Sequence, residues 1–265
     1  MKKQTIMEDF NTIIEKIMSG EKALSYSSLK QFLESPRHFK KFMTEPTTSK
    51  AMEEGKRFHM SVLETEKFME KYWCLDDSEK VKEIGGGNPR ATNLYKSWIQ
   101  EERAKRKGME LIQVDEWNMY MTMKKSLYSN SETRPIMEAL TEKESFMSID
   151  FDGLKINMKI DGKSSDIIID LKKVENSKYK KVKWKIFDEY YDMQGGLYSY
   201  ATGIKNYKLI FIDPDSNISV VRLMETTLEE GFGKFKMAIS KFIECAEQDL
   251  WNSSYEFWNG GYVNL

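Results

Sequence analysis

Two strand-like stretches of this 265-residue chain carry the side chains best suited to chemistry. Successive side chains of a strand fall on opposite faces, so in the run Ile167 to Lys173 the Asp170 carboxylate and Lys172 ammonium share one face while Leu171 takes the other. Upstream, Lys155 to Asp161 alternates in the same way: Ile156, Met158 and Ile160 form an apolar face, and Asp161 ends the strand on the opposite one. Only the link Gly162 to Asp166 separates the two stretches. If they pair, Asp161 and Asp170 meet at one end of a sheet with Lys172 beside them. Two converging carboxylates suit Mg2+, which takes oxygen ligands and keeps several waters, and Mn2+ is the natural substitute. An adjacent lysine can orient or deprotonate one of those waters, and burial beside cations is expected to lower its pKa, as a base at neutral pH requires. These parts suit phosphodiester hydrolysis.

The pattern Asp161, eight intervening residues, then Asp170-Leu171-Lys172 resembles the core of the PD-(D/E)xK nucleases. Gln194-x-x-x-Tyr198 resembles the helix motif that follows it in the RecE, RecB and lambda-exonuclease branches. Gly55-x-x-x-His59-x-x-x-x-Glu64 is similar to an element of the RecE and RecB branches whose histidine lies at the metal site. The segment Leu24 to Phe42 resembles the amino-terminal motif of RecE-type exonucleases. Ile160 stands where the family name has Pro, and Lys173 where Thr is commoner; neither position supplies a metal ligand. The likeness runs from Ser25 to about Leu223.

This resemblance implies an α/β fold with a restriction-endonuclease-like core, a central mixed sheet flanked by helices, and an amino-terminal helical extension. It implies a metal bound by His59, Asp161, Asp170 and the Leu171 carbonyl, with Lys172 serving the attacking water and Gln194 and Tyr198 holding the Lys172 region or the cleaved strand. By the same likeness the substrate is linear double-stranded DNA, resected from the 5′ end to leave 3′ tails in phage or prophage recombination. A ring-shaped homo-oligomer (trimer or tetramer) and a single-strand annealing partner go with it. A structure-specific or single-strand endonuclease on the same core competes with this reading, as does a DNA-end-binding module without chemistry. The presence of Asp161, Asp170 and Lys172 argues against the latter.

The rest of the chain must position these groups. Hydrophobic residues make up 40% and charged residues 31%, a globular balance at a length suited to one core with an extension, so a single domain is expected. Its parts are a mainly helical 1–130, a sheet core over 142–225 and a helix with tail over 226–265. Lys+Arg 41 against Asp+Glu 42 gives net charge -1, so any polyanion must be met by local clusters. Two cysteines, Cys74 and Cys245, far apart in sequence, read as free thiols of a reducing compartment. The amino terminus lacks a signal-like apolar region and no run approaches a membrane span, which leads to the expectation of a soluble, cytoplasmic protein without membrane contact.

Helical spacing of Ile6, Phe10, Ile13, Ile14 and Ile17 predicts an amphipathic helix over Thr5 to Met18. Ser27 or Ser28 can cap the next helix, which Pro36 ends; Ser27, Ser28, Arg37, His38 and Lys40 are candidate phosphate contacts, with ordinary capping and a solvated basic turn as the alternative. Gly55, inside the His59 helix, suggests close approach to another backbone. Gly85 to Gly87 lack a preceding strand and a following Gly-Lys-Ser/Thr, and so read as a loop rather than a nucleotide site. Helices are expected over Thr92–Arg106 and Val114–Leu127, with Trp98, Trp117 and Met121 in a core. Glu144, in the strand Glu142 to Ile149, is expected as an exposed strand charge rather than as an outer carboxylate of the site. The lysine run containing Lys178, Lys180 and Lys181 starts close to the carboxylate patch, which makes it a candidate for the DNA backbone. A helix carrying Gln194 and Tyr198 on one face, two strands around Pro214 to Asn217, and a long amphipathic helix over Thr226 to Leu250 complete the chain. The Gly-rich aromatic tail is read only as a docking or partner segment.

Overall fold

The computed structural model describes residues 8–45 and 47–259. Thr5 to Met7 of the first expected helix and the end of the tail lie outside the described residues. In chain order the elements are α1 (Phe10–Met18), β1 (Leu24–Ser25), α2 (Tyr26–Glu34), α3 (Pro36–Thr44), α4 (Lys50–Leu63), α5 (Thr65–Lys71), β2 (Tyr72–Leu75), α6 (Ser78–Ile84), α7 (Asn93–Lys105), β3 (Glu110–Gln113), α8 (Val114–Ser129) and α9 (Thr133–Ala139). The second half follows with β4 (Glu142–Phe151), β5 (Leu154–Lys163), β6 (Ile168–Lys173), α10 (Tyr179–Asp188), α11 (Tyr191–Thr202), β7 (Tyr207–Ile212), β8 (Ile218–Leu223), α12 (Glu225–Glu247) and α13 (Glu256–Asn259).

The fold is mixed α/β, a central sheet with helices on both faces. Strands run β1-β5-β6-β7-β8, with β4 also paired to β5. β1 with β5 and β6 with β7 are parallel, and the other neighbours are antiparallel. The alternation that the sequence carries divides each strand between two cores. Ile156, Met158 and Ile160 of β5, Ile168 of β6 and Tyr207, Leu209 and Phe211 of β7 pack with α1, α2, α10, α11 and α12. Ile169 and Leu171 of β6 and Ile210 and Ile212 of β7 face the other way, against α4, α5, α8 and α9. Fully burying such a side chain contributes about 1.5–3 kcal/mol, so both helical layers are pinned to the sheet that carries the carboxylates.

β4 and β5 form a long hairpin closed by Asp152 and Gly153, both at positive φ (49° and 80°), as a two-residue turn matched to strand twist demands. β5 then pairs with β6 only at Gly162↔Ile169 and Lys163↔Ile168. Gly162 lets the strands close there, since a Cβ would press on the end of the Leu140 side chain at 2.7 Å. Toward Asp161 and Asp170 the two strands part, and that fork is where the functional groups gather.

Several elements differ from expectation for physical reasons. The N-cap of α2 is Ser25, and Ser28 completes its capping box. The helix expected to begin near Asp188 is interrupted at Tyr190, whose φ of 58° starts α11 afresh. The helix expected from Thr92 forms as α7, capped by the Thr92 side chain, but it buries none of its residues. Trp98 is therefore no core residue; it rests against Tyr95, while Trp117 and Met121 of α8 do pack on the second core. Gly55 approaches nothing within 4 Å and instead lines a cleft. The close backbone approach occurs at Gly196 of α11, where a Cβ would strike the α12 backbone at Leu228 to Phe232. The tail docks: Trp251 is buried among Phe10, Phe32, Phe39 and Phe242, and Trp258 Nε1 donates to the Phe32 carbonyl at 3.2 Å.

Candidate active site

A cleft of about 1040 Å³ opens at the fork, with His59, Glu144, Asp161, Asp170, Lys172, Gln194 and Tyr198 in its lining. One wall comes from α11. Tyr191–Thr202 is buried along most of its length, and its tight crossing with α12 fixes where Gln194 projects. Gln194 Nε2 donates to Asp170 Oδ1 at 2.9 Å, and its Oε1 accepts from Lys172 Nζ at 3.3 Å. The amide thus holds both members of the Asp-x-Lys pair. Lys172 Nζ lies 2.6 Å from Asp170 Oδ2 and 4.4 Å from the centroid of the Tyr191 ring. Tyr198, one turn on, donates to the Lys159 carbonyl at 3.1 Å and so ties α11 to β5.

The other wall comes from α4 and β4. Phe58, Val62 and Leu63 anchor α4 in the second core, and His59 beside them turns into the cleft. Its Nδ1 is 3.4 Å from Asp161 Oδ2 and 3.8 Å from Glu144 Oε1. Asp161 Oδ2 also accepts the Leu171 N–H at 2.7 Å, so a carboxylate oxygen takes the ladder partner that the parting strands withdraw. The pairs Lys143↔Gly162 and Ser145↔Ile160 leave Glu144 across from Asp161. Like charges placed so destabilise a sheet, and Glu144 adds a left-handed φ of 52°, which costs a non-glycine residue about 1–2 kcal/mol. His59 and Lys159, both paired with Glu144, offset this. Glu144 has a side chain only 7% exposed; the expectation of an exposed strand charge is corrected, because the hairpin register turns it inward.

The electrostatics separate the groups. Burial works against the Asp161 carboxylate, yet the His59 charge and hydrogen bond, with help from Lys172 and the Leu171 N–H, hold its pKa below the usual range. Burial raises Asp170 to about 6, with Asp161 adding to the rise and Lys172 opposing it. Burial would lower His59, but Asp161 and Glu144 outweigh it and bring the imidazole to about 10. For Lys172, too, burial is outweighed by Asp170, Tyr191 and Asp161, and its pKa lies above the ordinary lysine value. Three negative or polarisable neighbours hold Lys172 as an ammonium in the metal-free site, whereas the expected lowering belongs to the site with cations beside it.

His59, Glu144 and Asp161 each offer a ligand atom within 4.8 Å of the others. Asp170, 2% exposed, has an Oδ2 that accepts no aligned hydrogen bond. Three carboxylates and an imidazole fit a hard or borderline divalent cation. The tightest ligand cluster thus contains Glu144, while Asp170 faces it from the Gln194 wall and Leu171 contributes its N–H to Asp161. A Phe151–Leu154 hairpin with an Asp-Gly turn sets the ladder register from sequence alone, and counting back from it places Glu144 opposite Asp161.

The other candidates lie elsewhere. Ser27 lines the cleft, while Ser28 is buried in the α2 cap. Arg37 donates through Nη2 and Nε to the Asn252 carbonyl at 2.9 and 3.2 Å, and Lys40 to Asn252 Oδ1 at 3.1 Å, so both are engaged in docking the carboxy-terminal segment. His38 Nδ1 is 2.8 Å from the Ser35 hydroxyl. Lys178, Lys180 and Lys181 are exposed at the start of α10, outside the cleft lining. Lys56, Arg57, Lys71 and Lys159 are cationic lining residues that the motifs did not mark.

Residues 25–256 match the family described as "PDDEXK-like domain of unknown function (DUF3799)". A search of curated protein sequences finds no match. A crystal structure from Eubacterium rectale, provisionally named an exonuclease, superposes with a TM-score of 0.58 at 15% identity, covering 94% of this chain and 85% of its own, which is a likeness of fold. A second structure, SSO0001, covers 86% of this chain and 83% of its own at 15% identity, with a TM-score of 0.29 that carries no argument.

Proposed function

Because this chain belongs to the family of the PDDEXK-like domain of unknown function (DUF3799), we propose that it is a metal-dependent deoxyribonuclease, an exonuclease that resects linear duplex DNA from the 5′ end. One observation carries the reading: Asp161, Asp170 and Lys172 meet at the fork of β5 and β6 with His59, Glu144 and Gln194 closing around them. The provisional exonuclease name of the Eubacterium rectale protein supports it.

His59, Glu144, Asp161 and Asp170 would hold Mg2+ or Mn2+, which supplies charge stabilisation for the phosphate and an acidified water. Lys172 positions that water or a phosphate oxygen, or takes the water's proton where cations beside it lower its pKa. Gln194 keeps the Lys172 ammonium and the Asp170 carboxylate in register with one another, so one amide sets both the electrostatic and the ligand geometry. Tyr198 fixes the β5 backbone beside Asp161. Lys56, Arg57, Lys71 and Lys159 line the cleft beside Glu53, Glu64, Glu110 and Glu144, so they offer individual phosphate contacts rather than a basic surface. The family likeness extends the proposal to an oligomeric ring around DNA and an annealing partner.

The test is digestion of a linear duplex labelled at its 5′ or 3′ end, beside a covalently closed circle, in Mg2+, Mn2+ or EDTA. Metal-dependent early loss of the 5′ label with the circle intact is expected. A nicked or linearised circle makes the protein an endonuclease; bound but unshortened DNA makes it an end-binding module.

A further inference from the structure

The β4–β5 ribbon continues out of the site with a face of its own. Moving outward from Glu144 and Asp161, the next pair is Phe146↔Lys159 and the one after it Ser148↔Asn157, where β1 adds Ser25 beside Asn157. Ser25, Phe146, Asn157 and Lys159 all line the cleft. On β4 the outward face reads Glu144, Phe146, Ser148, Asp150, while Met147, Ile149 and Phe151 pack on the core. Phe146 is thus a lone apolar side chain on a polar face, and it is 69% exposed. Packing does not explain it, since the core takes the alternate residues.

Two strand residues span about 7 Å, a one-nucleotide step along an unstacked DNA strand. A phosphate held between the Asp161 and Asp170 walls would therefore place a neighbouring base over Phe146, whose ring offers a sequence-tolerant stacking surface. Lys159, paired with Glu144 yet with a side chain 60% exposed, stands directly across from Phe146, within reach of the adjoining phosphate. We propose that this ribbon face is the track for the DNA strand being cut, with Phe146 stacking the base one nucleotide from the scissile phosphate and Lys159 holding the backbone. The proposal rests on the nuclease reading. It explains how a cleft with no net basic excess in the chain can grip a strand: by stacking and local charge.

The test uses the full chain, a fluorescein-labelled single-stranded oligonucleotide, and copies carrying one abasic residue at successive positions. Anisotropy in Ca2+ gives binding, and cleavage in Mg2+ is followed in parallel. Phe146→Ala is expected to weaken binding about tenfold, Phe146→Trp to restore it and Phe146→Leu to fall short. In the natural chain one abasic position is expected to cost a similar factor, and in Phe146→Ala that penalty disappears, because both changes remove the same stack. Equal binding by Phe146→Ala, or an abasic penalty that persists in it, overturns the track. If cleavage in Mg2+ persists beside either result, the nuclease reading stands without the track. If neither binding nor cleavage occurs, both fall.

Discussion

The two walls of the cleft are held by different forces. Gln194, Asp170 and Lys172 sit on a helix and a strand that are buried on nearly every side, and hydrogen bonds with defined donors and acceptors fix their spacing. Asp161 and Glu144 lie 3.4 and 3.8 Å from His59 Nδ1, held through charge more than through aligned hydrogen bonds, and Glu144 carries backbone strain. The first wall is set before any ligand arrives. The second is a charge cluster in which an imidazolium occupies the space between two carboxylates, and a cation competes with that proton. Preorganisation and exchangeability are thus divided between opposite sides of one cleft.

The largest effect should come from the rigid wall. Asp170→Ala is expected to cut metal-dependent DNA cleavage by at least about 10³-fold while the chain stays folded, relief of the carboxylate's burial being set against a Lys172 ammonium left without its partner. An unfolded variant, or one that still cleaves, contradicts the division of roles. Next comes Gln194→Ala, expected to lower turnover about 10–100-fold, with Gln194→Glu failing to rescue because it cannot donate to Asp170. On the exchangeable wall, Glu144→Gln should weaken Mn2+ binding about tenfold in calorimetric titration and raise the metal concentration required for cleavage, with a smaller loss at saturating metal.

The same comparison fixes a pH dependence. A cation needs His59 without its proton, so between pH 6 and 10 each bound cation should release about one proton, and apparent affinity should rise about tenfold per pH unit. Below about 6 Asp170 is protonated as well, a second proton competes, and the slope should steepen toward about a hundredfold per unit. Metal titrations in buffers of different ionisation enthalpy report the proton count; a count near zero at pH 7 would mean that His59 is not displaced. The smallest effect belongs to Arg37→Ala, which should change cleavage by less than about twofold and cost stability by about 1 kcal/mol through the lost Asn252 contacts.

Alternation in Lys155 to Asp161 and Ile167 to Lys173 was enough to separate buried from functional positions, because in a sheet covered on both faces the period of two decides which core each side chain enters. The Gln194/Tyr198 spacing was legible for a similar local reason. What escaped depended on distant partners. Glu144 reads as a surface charge until the hairpin register puts it across from Asp161, and the pull of Asp170, Tyr191 and Asp161 on the Lys172 proton arises only once the fold brings them together. Arg37 and Lys40 have the chemistry of phosphate contacts, but a segment more than two hundred residues away takes their donors. Trp98 shows the reverse case: an aromatic residue suggests a core, yet none of the residues of α7 is buried.

The Asp161 oxygen that accepts the Leu171 amide is also the one nearest His59. A single atom is therefore both mortar and tool. Removing it to make an inactive enzyme would loosen the masonry as well, so an Asp161 substitution is a poor control for binding studies, whereas Asp170 can be disarmed with the junction of the two strands left standing.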